Sequence, residues 1–303
     1  MYSILVRASC FCAIILMGYI LKRASFFKKE DFALLSKIVI RITLTCAIVN
    51  SFNGKSLDGG MLIMTLFGFL FGLLLVCASL FLNRKHGPED RAFAVLNAAG
   101  VNIGNFVLPF AQSFLGGEAV IAVCLFDVGN SFFCLGGNYA IAASVRSGGG
   151  RFSLRTAAGA LFKSIPLITY LAMTFLCLAG LTLPGPVTEF TGIVGSANPF
   201  LAMLMLGVGF NLSPDRKKLS QVTGILLTRF ILGIGLSLAA WFCFPLPLAM
   251  RQALTILFLG PIASAAPAYT AQIGGDYELS SAVNSLSIVL SMLLIVLSLT
   301  VIA

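Results

Sequence analysis

The sequence is short of charge. Of its 303 residues only 10% are Asp, Glu, Lys or Arg, whereas a soluble globular domain carries roughly 25%. With a mean hydropathy of +1.00, that shortage excludes a soluble fold. Acid is the scarcer sign, 11 residues against 20 basic ones, and there is a single histidine. That histidine, His86, lies in a basic loop, so no His-Glu-x-x-His zinc helix can form. Only one acid, Asp127, falls in the interior of an apolar run, so no aspartyl dyad is available. No enzyme activity, catalytic residue, metal or cofactor is expected. Eight cysteines are present, all in apolar stretches and none in Cys-x-x-Cys spacing, and they read as small buried hydrophobes.

What the chain has is long apolar runs. They fall at about residues 3–21, 32–53, 61–82, 91–115, 118–145, 157–180, 187–210, 219–242, 249–273 and 277–302, each close to the roughly 20 residues that cross a bilayer as a helix. A barrel strand alternates apolar and polar over about 10 residues, and these runs do not. The expected class is an all-α integral membrane protein of ten spans. The first run lacks a basic segment before it and reads as a retained helix, not a cleaved signal.

A net charge of +9 would point to nucleic acid in a soluble protein. Here it sets topology. Loops after spans one, three, five and seven hold Lys22, Arg23, Lys28, Lys29, Arg84, Lys85, Arg91, Arg146, Arg151, Arg155, Arg216, Lys217 and Lys218, and the other side holds only Lys55 and Arg251. By the positive-inside rule both termini lie outside the cytoplasm, in a multi-pass protein of the cytoplasmic membrane. No nucleic-acid partner is expected.

The linker Ser147 to Gly150 divides the spans five and five, giving halves of residues 1–148 and 149–303. An odd number per half requires the second to be inserted upside down. Shifting the fourth span by 160 residues onto the ninth pairs Arg91 with Arg251, Gly100 with Gly260, Ala111 with Ala271 and Gln112 with Gln272. Inverted halves with paired, interrupted helices are the sequence pointer to a secondary transporter.

The interruptions read NAAGVNIGNFVLPF over residues 97–110 and LFLGPIASAAPAYT over 257–270. Proline inside a helix removes a donor at about 3 kcal/mol, so the helices are expected to open near Asn102 to Pro109 and Pro261 to Pro267. Unwound backbone at membrane depth persists only where protein or a wet cavity satisfies it, and freed N–H groups at a half-helix start suit an anion. Asn102, Gly104, Asn105, Pro109, Pro261, Ser264 and Pro267 are therefore candidate substrate-binding residues. In the fifth span Asp127, Asn130, Ser131, Cys134 and Asn138 share one face. An intramembrane acid is a functional candidate by default, so Asp127 is a candidate for ion or proton coupling and Asn130 for substrate. Ser280, Asn284, Ser287 and Ser291 share a face of the tenth span, with Asn284 a second coupling candidate. Of the intraspan cations, Arg7 and Lys163 read as snorkelling anchors. Arg41, near mid-membrane and a further coupling candidate, either pairs with Asp127 or attracts an anion, and Arg229 is similarly ambiguous.

Together Gly18-Tyr19, Asn102-Ile103-Gly104-Asn105 with Leu108-Pro109, Gly116, Asp127-Val128-Gly129-Asn130, Pro261, Ala265, Pro267-Ala268-Tyr269 and Asp276 give the chain a likeness along essentially its whole length. It resembles the auxin efflux carrier family, the bacterial relatives of the plant PIN transporters. The resemblance implies two inverted five-helix repeats as in bile-acid symporters. It implies a scaffold of spans one, two, six and seven, and a transport unit of spans three to five and eight to ten in which spans four and nine cross. It further implies elevator-like access and an organic-anion substrate. The sequence departs from the family at Leu44-Thr45-Cys46, where Leu-Pro-Ala is common, and at Val107, where glycine is usual; the latter implies a tighter crossover.

The expected function is a permease for a small organic anion, a carboxylate or auxin-like acid, with H+ or Na+ as coupling ion, the bilayer as surroundings and a homodimer left open. The alternatives are a Na+-coupled carrier of the bile-acid-symporter kind and a channel or sensor-like membrane protein.

Overall fold

The computed structural model describes residues 2–28, 30–55, 57–148, 163–211 and 218–302. Lys29, Arg151, Arg155, Arg216 and Lys217 of the topology argument, Gly149 and Gly150 of the linker and residues 157–162 of the sixth run lie outside the described residues. Among the described residues the chain is helical, without a strand.

Helix α1 is Tyr2–Arg23; α2 (Asp31–Ile38) and α3 (Leu44–Phe52) are joined by a π-helical turn at Val39–Thr43. A 3-10 turn at Gly59–Leu62 leads into α4 (Ile63–Leu82), followed by α5 (Pro88–Ala98). After a break the chain resumes as a π-helical turn at Ile103–Val107 and α6 (Leu108–Phe114). Then come α7 (Gly117–Phe132), a π-helical turn at Phe133–Gly137 and α8 (Asn138–Arg146). The later helices are α9 (Ile165–Leu178), α10 (Gly185–Ser196), α11 (Asn198–Gly209), α12 (Leu219–Phe242), α13 (Leu248–Phe258), α14 (Ala266–Gln272) and α15 (Tyr277–Ile302).

Among the described residues seven helical stretches are long and apolar enough to cross a membrane: Ile4–Arg23, Asp31–Phe52, Gly59–Leu82, Gly117–Arg146, Gly185–Gly209, Leu219–Phe242 and Tyr277–Val301. They coincide with runs one, two, three, five, seven, eight and ten. Runs four and nine are each split in two, and of run six the described part is the 14-residue α9. Large apolar side chains such as Leu66, Phe81, Phe175, Ile231 and Leu293 lie exposed around the outside. An apolar surface of that extent fits hydrocarbon, not water.

Small residues let the helices approach closely, as membrane interfaces favour. A Cβ on Gly68 would sit 2.1 Å from Phe126 O, and one on Gly129 2.0 Å from Thr65 O, so α4 and α7 meet backbone to backbone. The same holds for α1 and α11, where a Cβ on Gly18 or Gly207 would fall 2.4 Å from Leu204 O or 2.0 Å from Ile15 O.

Asp276, before α15, accepts from Leu279 N at 2.9 Å and pairs with Lys218 Nζ at 2.5 Å. Those backbone donors, with Lys218, hold its carboxyl below the ordinary carboxylate range. Whatever stability it adds is present at neutral pH and is lost as the pH falls through that lowered value.

Candidate functional site

The two interrupted helices meet at their breaks. Asn102 N donates to Pro261 O at 2.9 Å, and Val101 and Ile262 form an isolated antiparallel bridge. The first break lies earlier than the proline predicts. The helix opens at Ala99–Asn102, where Gly100 adopts φ +81°, a left-handed conformation that favours glycine. Pro109 instead stands in the helix that resumes at Ile103, directly after the π-helical turn at Ile103–Val107. The π-helical turn before it carries Val107 N to Asn102 O at 3.2 Å. The second break spans Leu259–Ala265, with Pro267 in the first turn of α14.

Side chains from two further helices satisfy the freed backbone. From α7, Asn130 Oδ1 accepts from Val101 N and its Nδ2 donates to Val101 O, both at 2.9 Å. From α15, Asn284 Nδ2 donates to Ile262 O at 3.0 Å and Ala263 O at 3.2 Å, while Ser287 Oγ accepts from Ile262 N at 3.1 Å. Each break thus has its own asparagine. Ser280 joins Asn97 and Thr270 in a buried hydroxyl and amide network behind the crossing. Of that face of α15, Ser280, Asn284 and Ser287 bond to neighbouring segments, whereas Ser291 Oγ is buried with no partner among the described residues.

The candidate substrate residues cluster here. Asn105 Nδ2 donates to Ser264 Oγ across the crossing at 3.3 Å. Asn105 Oδ1 and Asn102 Nδ2 are buried without a partner, and both residues are only 5% exposed. Gly104 faces α3: a Cβ there would lie 2.6 Å from Leu44 Cδ2. Val107 fills the space against Gly260, whose Cβ would sit 2.7 Å from Val107 Cγ2.

Asp127 is coordinated differently from the expectation. Its Oδ1 accepts from Asn130 Nδ2 at 2.9 Å and its Oδ2 from Tyr170 Oη on α9 at 3.0 Å. The predicted Arg41–Asp127 pair does not form, because Arg41 stands on an exposed face of the π-helical turn. The two ion pairs among the described residues are Arg146–Glu89 and Lys218–Asp276. Arg41 is therefore no part of this cluster. Tyr170, buried at 1% exposure, is a member that the sequence reading passes over, since one tyrosine in an apolar run carries no periodic signal. Arg7, in the first turns of α1, donates to Ser113 O at the end of α6.

A cavity of about 370 Å³ lies beside the C-terminal end of α6, lined by Asn50, Ser51, Lys55, Gln112 and Ser196 among others. Gln112 Nε2 donates to Ser51 Oγ at 3.2 Å across it. The crossing itself is closed by packing, with Val101, Val107 and Ile262 buried.

Among the described residues no cluster of His, Cys, Asp and Glu could hold a metal ion. No protein-family model matches the chain, and no characterised protein matches its sequence.

Proposed function

We propose that the protein is a secondary carrier for a small organic anion, a carboxylate or auxin-like acid, in the cytoplasmic membrane. It works by elevator-type alternating access, with ten spans in two inverted halves and both termini outside. The observation that carries this reading is the crossing of two broken helices at a backbone bridge, with the orphaned amide atoms of Asn102 and Asn105 at the openings. Buried polar atoms are normally paired, and a carboxylate supplies the acceptor that Asn102 Nδ2 lacks. The N-terminal ends of the helical segments that follow each break add partial positive charge.

The reading assigns spans one, two, six and seven to a scaffold and the rest to a moving unit. Among the described residues five hydrogen bonds then cross between them: Arg7 to Ser113, Cys12 to Met292, Gln112 to Ser51, Asn211 to Ser285 and Tyr170 to Asp127. The cavity beside Lys55 gives an incoming anion its first contact from the non-cytoplasmic side. Asp127, bonded to both the crossing and α9, is placed to link a proton to movement.

The test is counterflow in proteoliposomes against a panel of short-chain carboxylates and indole acids, with and without Na+ and at two pH values. Saturable exchange supports a carrier, and single-channel currents far above carrier turnover overturn it. The Nδ2 hydrogen of Asn105 that is not given to Ser264 is its donor for an anion, so Asn105→Ala should raise the half-saturating concentration about tenfold, the effect of removing a hydrogen bond to a charged group. Unaltered affinity in a monodisperse variant would remove Asn105 from the site.

A further inference from the structure

Arg229 lies near the middle of α12, about 15 Å from its start at 1.5 Å per residue, and is fully buried. It has no carboxylate partner: neither of the two ion pairs among the described residues includes it. Its guanidinium is spent on backbone carbonyls instead. Nη1 donates to Ala98 O at 2.5 Å, at the end of α5. Nε and Nη2 donate to Gly260 O at 3.2 and 2.8 Å, and Nη2 to Pro261 O at 3.0 Å, just past the end of α13. One planar fork thus holds the last carbonyl of α5 and the two carbonyls just past the C-cap of α13.

The charge is balanced by the same geometry. A helix C-terminus carries roughly half a negative charge, so two of them together offset one guanidinium without any acid. Lysine would not do the same, because a compact ammonium lacks the rigid fork that spans two acceptors in fixed directions. Pro261 O receives Arg229 from one side and Asn102 N from the other, so the clamp and the bridge share an atom. We infer that Arg229 is the positioning residue that locks the two breaks to each other, making the crossover one preassembled unit and not two separately flexible openings.

The clamp stands on geometry alone, whereas its consequence for substrate binding rests on the carrier reading, so the first arms of the test involve no transport. Hydrogen–deuterium exchange is measured by mass spectrometry on the purified full chain and on Arg229→Met and Arg229→Lys, following peptides over residues 96–104 and 257–266 with a control in α4. Exchange should accelerate about tenfold or more in both peptides in both variants, as expected when charge-assisted hydrogen bonds are lost, with the control unchanged. Unchanged rates, acceleration in one peptide only, or the parent pattern in Arg229→Lys would each overturn the clamp. The parent chain gives a check that needs no variant: in ¹⁵N spectra the guanidinium protons of Arg229 should exchange far more slowly than those of the exposed Arg84, and equal rates would overturn the proposal. A final arm compares the half-saturating concentration of indole-3-acetate or succinate, whichever gives counterflow in the parent. A rise in Arg229→Lys supports the role in binding. Faster exchange with an unchanged value keeps the clamp and overturns that role.

Discussion

Replacing Asn130 by alanine should abolish counterflow in proteoliposomes and destabilise the purified protein by on the order of 1–3 kcal/mol, the cost of leaving the buried Val101 N–H without a partner, while Val101 O keeps Ile103 N and Cys134 Sγ. The reason is local. Val101 sits where the helix has opened, so neither its N–H nor its C=O has a helical partner, and Asn130 serves both at 2.9 Å. Water cannot stand in for the side chain within the packed crossing. Asn130→Asp keeps the acceptor for Val101 N and loses the donor for Val101 O, and it brings a second acid next to Asp127. It should retain the fold better than the alanine variant while still losing most flux. A thermal midpoint and a flux in Asn130→Ala equal to those of the parent would show that the break is held by other means.

The second large effect is expected at Asp127. A carboxylate accepts through two oxygens, here from Asn130 and Tyr170, whereas an amide offers one acceptor and one donor group. Asp127→Asn can keep an acceptor toward Asn130 only by turning its NH2 to Tyr170 Oη, which must then accept, so both bonds lose their charge-assisted character. Counterflow should fall at least tenfold, the scale of a charge-assisted hydrogen bond. Tyr170→Phe is the companion experiment. It removes the bond between α7 and α9 and leaves Asn130 on the carboxylate, so turnover should rise several-fold at an unchanged half-saturating concentration. Wild-type flux in Asp127→Asn would show the carboxylate dispensable, and a fall in turnover in Tyr170→Phe would show that this bond is needed throughout the cycle.

Much of this arrangement is legible in the residues, and the parts that are not have physical reasons. Apolar runs announce the helices, because a bilayer leaves few other ways to satisfy a backbone. The pairing of NAAGVNIGNFVLPF with LFLGPIASAAPAYT points to two interrupted helices, and both are interrupted. The exact start of the first break is hidden, since Pro109 is the louder signal while Gly100 at φ +81° does the opening. Asn130 and Asn284 are visible as polar residues in greasy surroundings, but their targets, the carbonyls and amides of Val101, Ile262 and Ala263, have no sequence signature at all. Arg229 is illegible for the same reason: a search for its partner looks for an acid, and its partners are backbone oxygens of residues about 30 and 130 positions away. Arg41 misleads in the opposite sense. Its depth in the run suggests a partner across the bundle, yet its face points outward.

The glycine contacts bear on how this molecule can deform. Where α4 meets α7, and α1 meets α11, main chain lies against main chain, and no rotation of a side chain can open or tighten such a joint. Each pair behaves as a stiff plank. Between α7 and α9, by contrast, the hydrogen bond runs from the end of one long side chain to the end of another, Tyr170 to Asp127, and torsions on both sides can lengthen or release it. Compliance is therefore distributed unevenly, with rigid laminates and a softer seam between them, and a force applied at the crossing is relieved along that seam before it bends any helix.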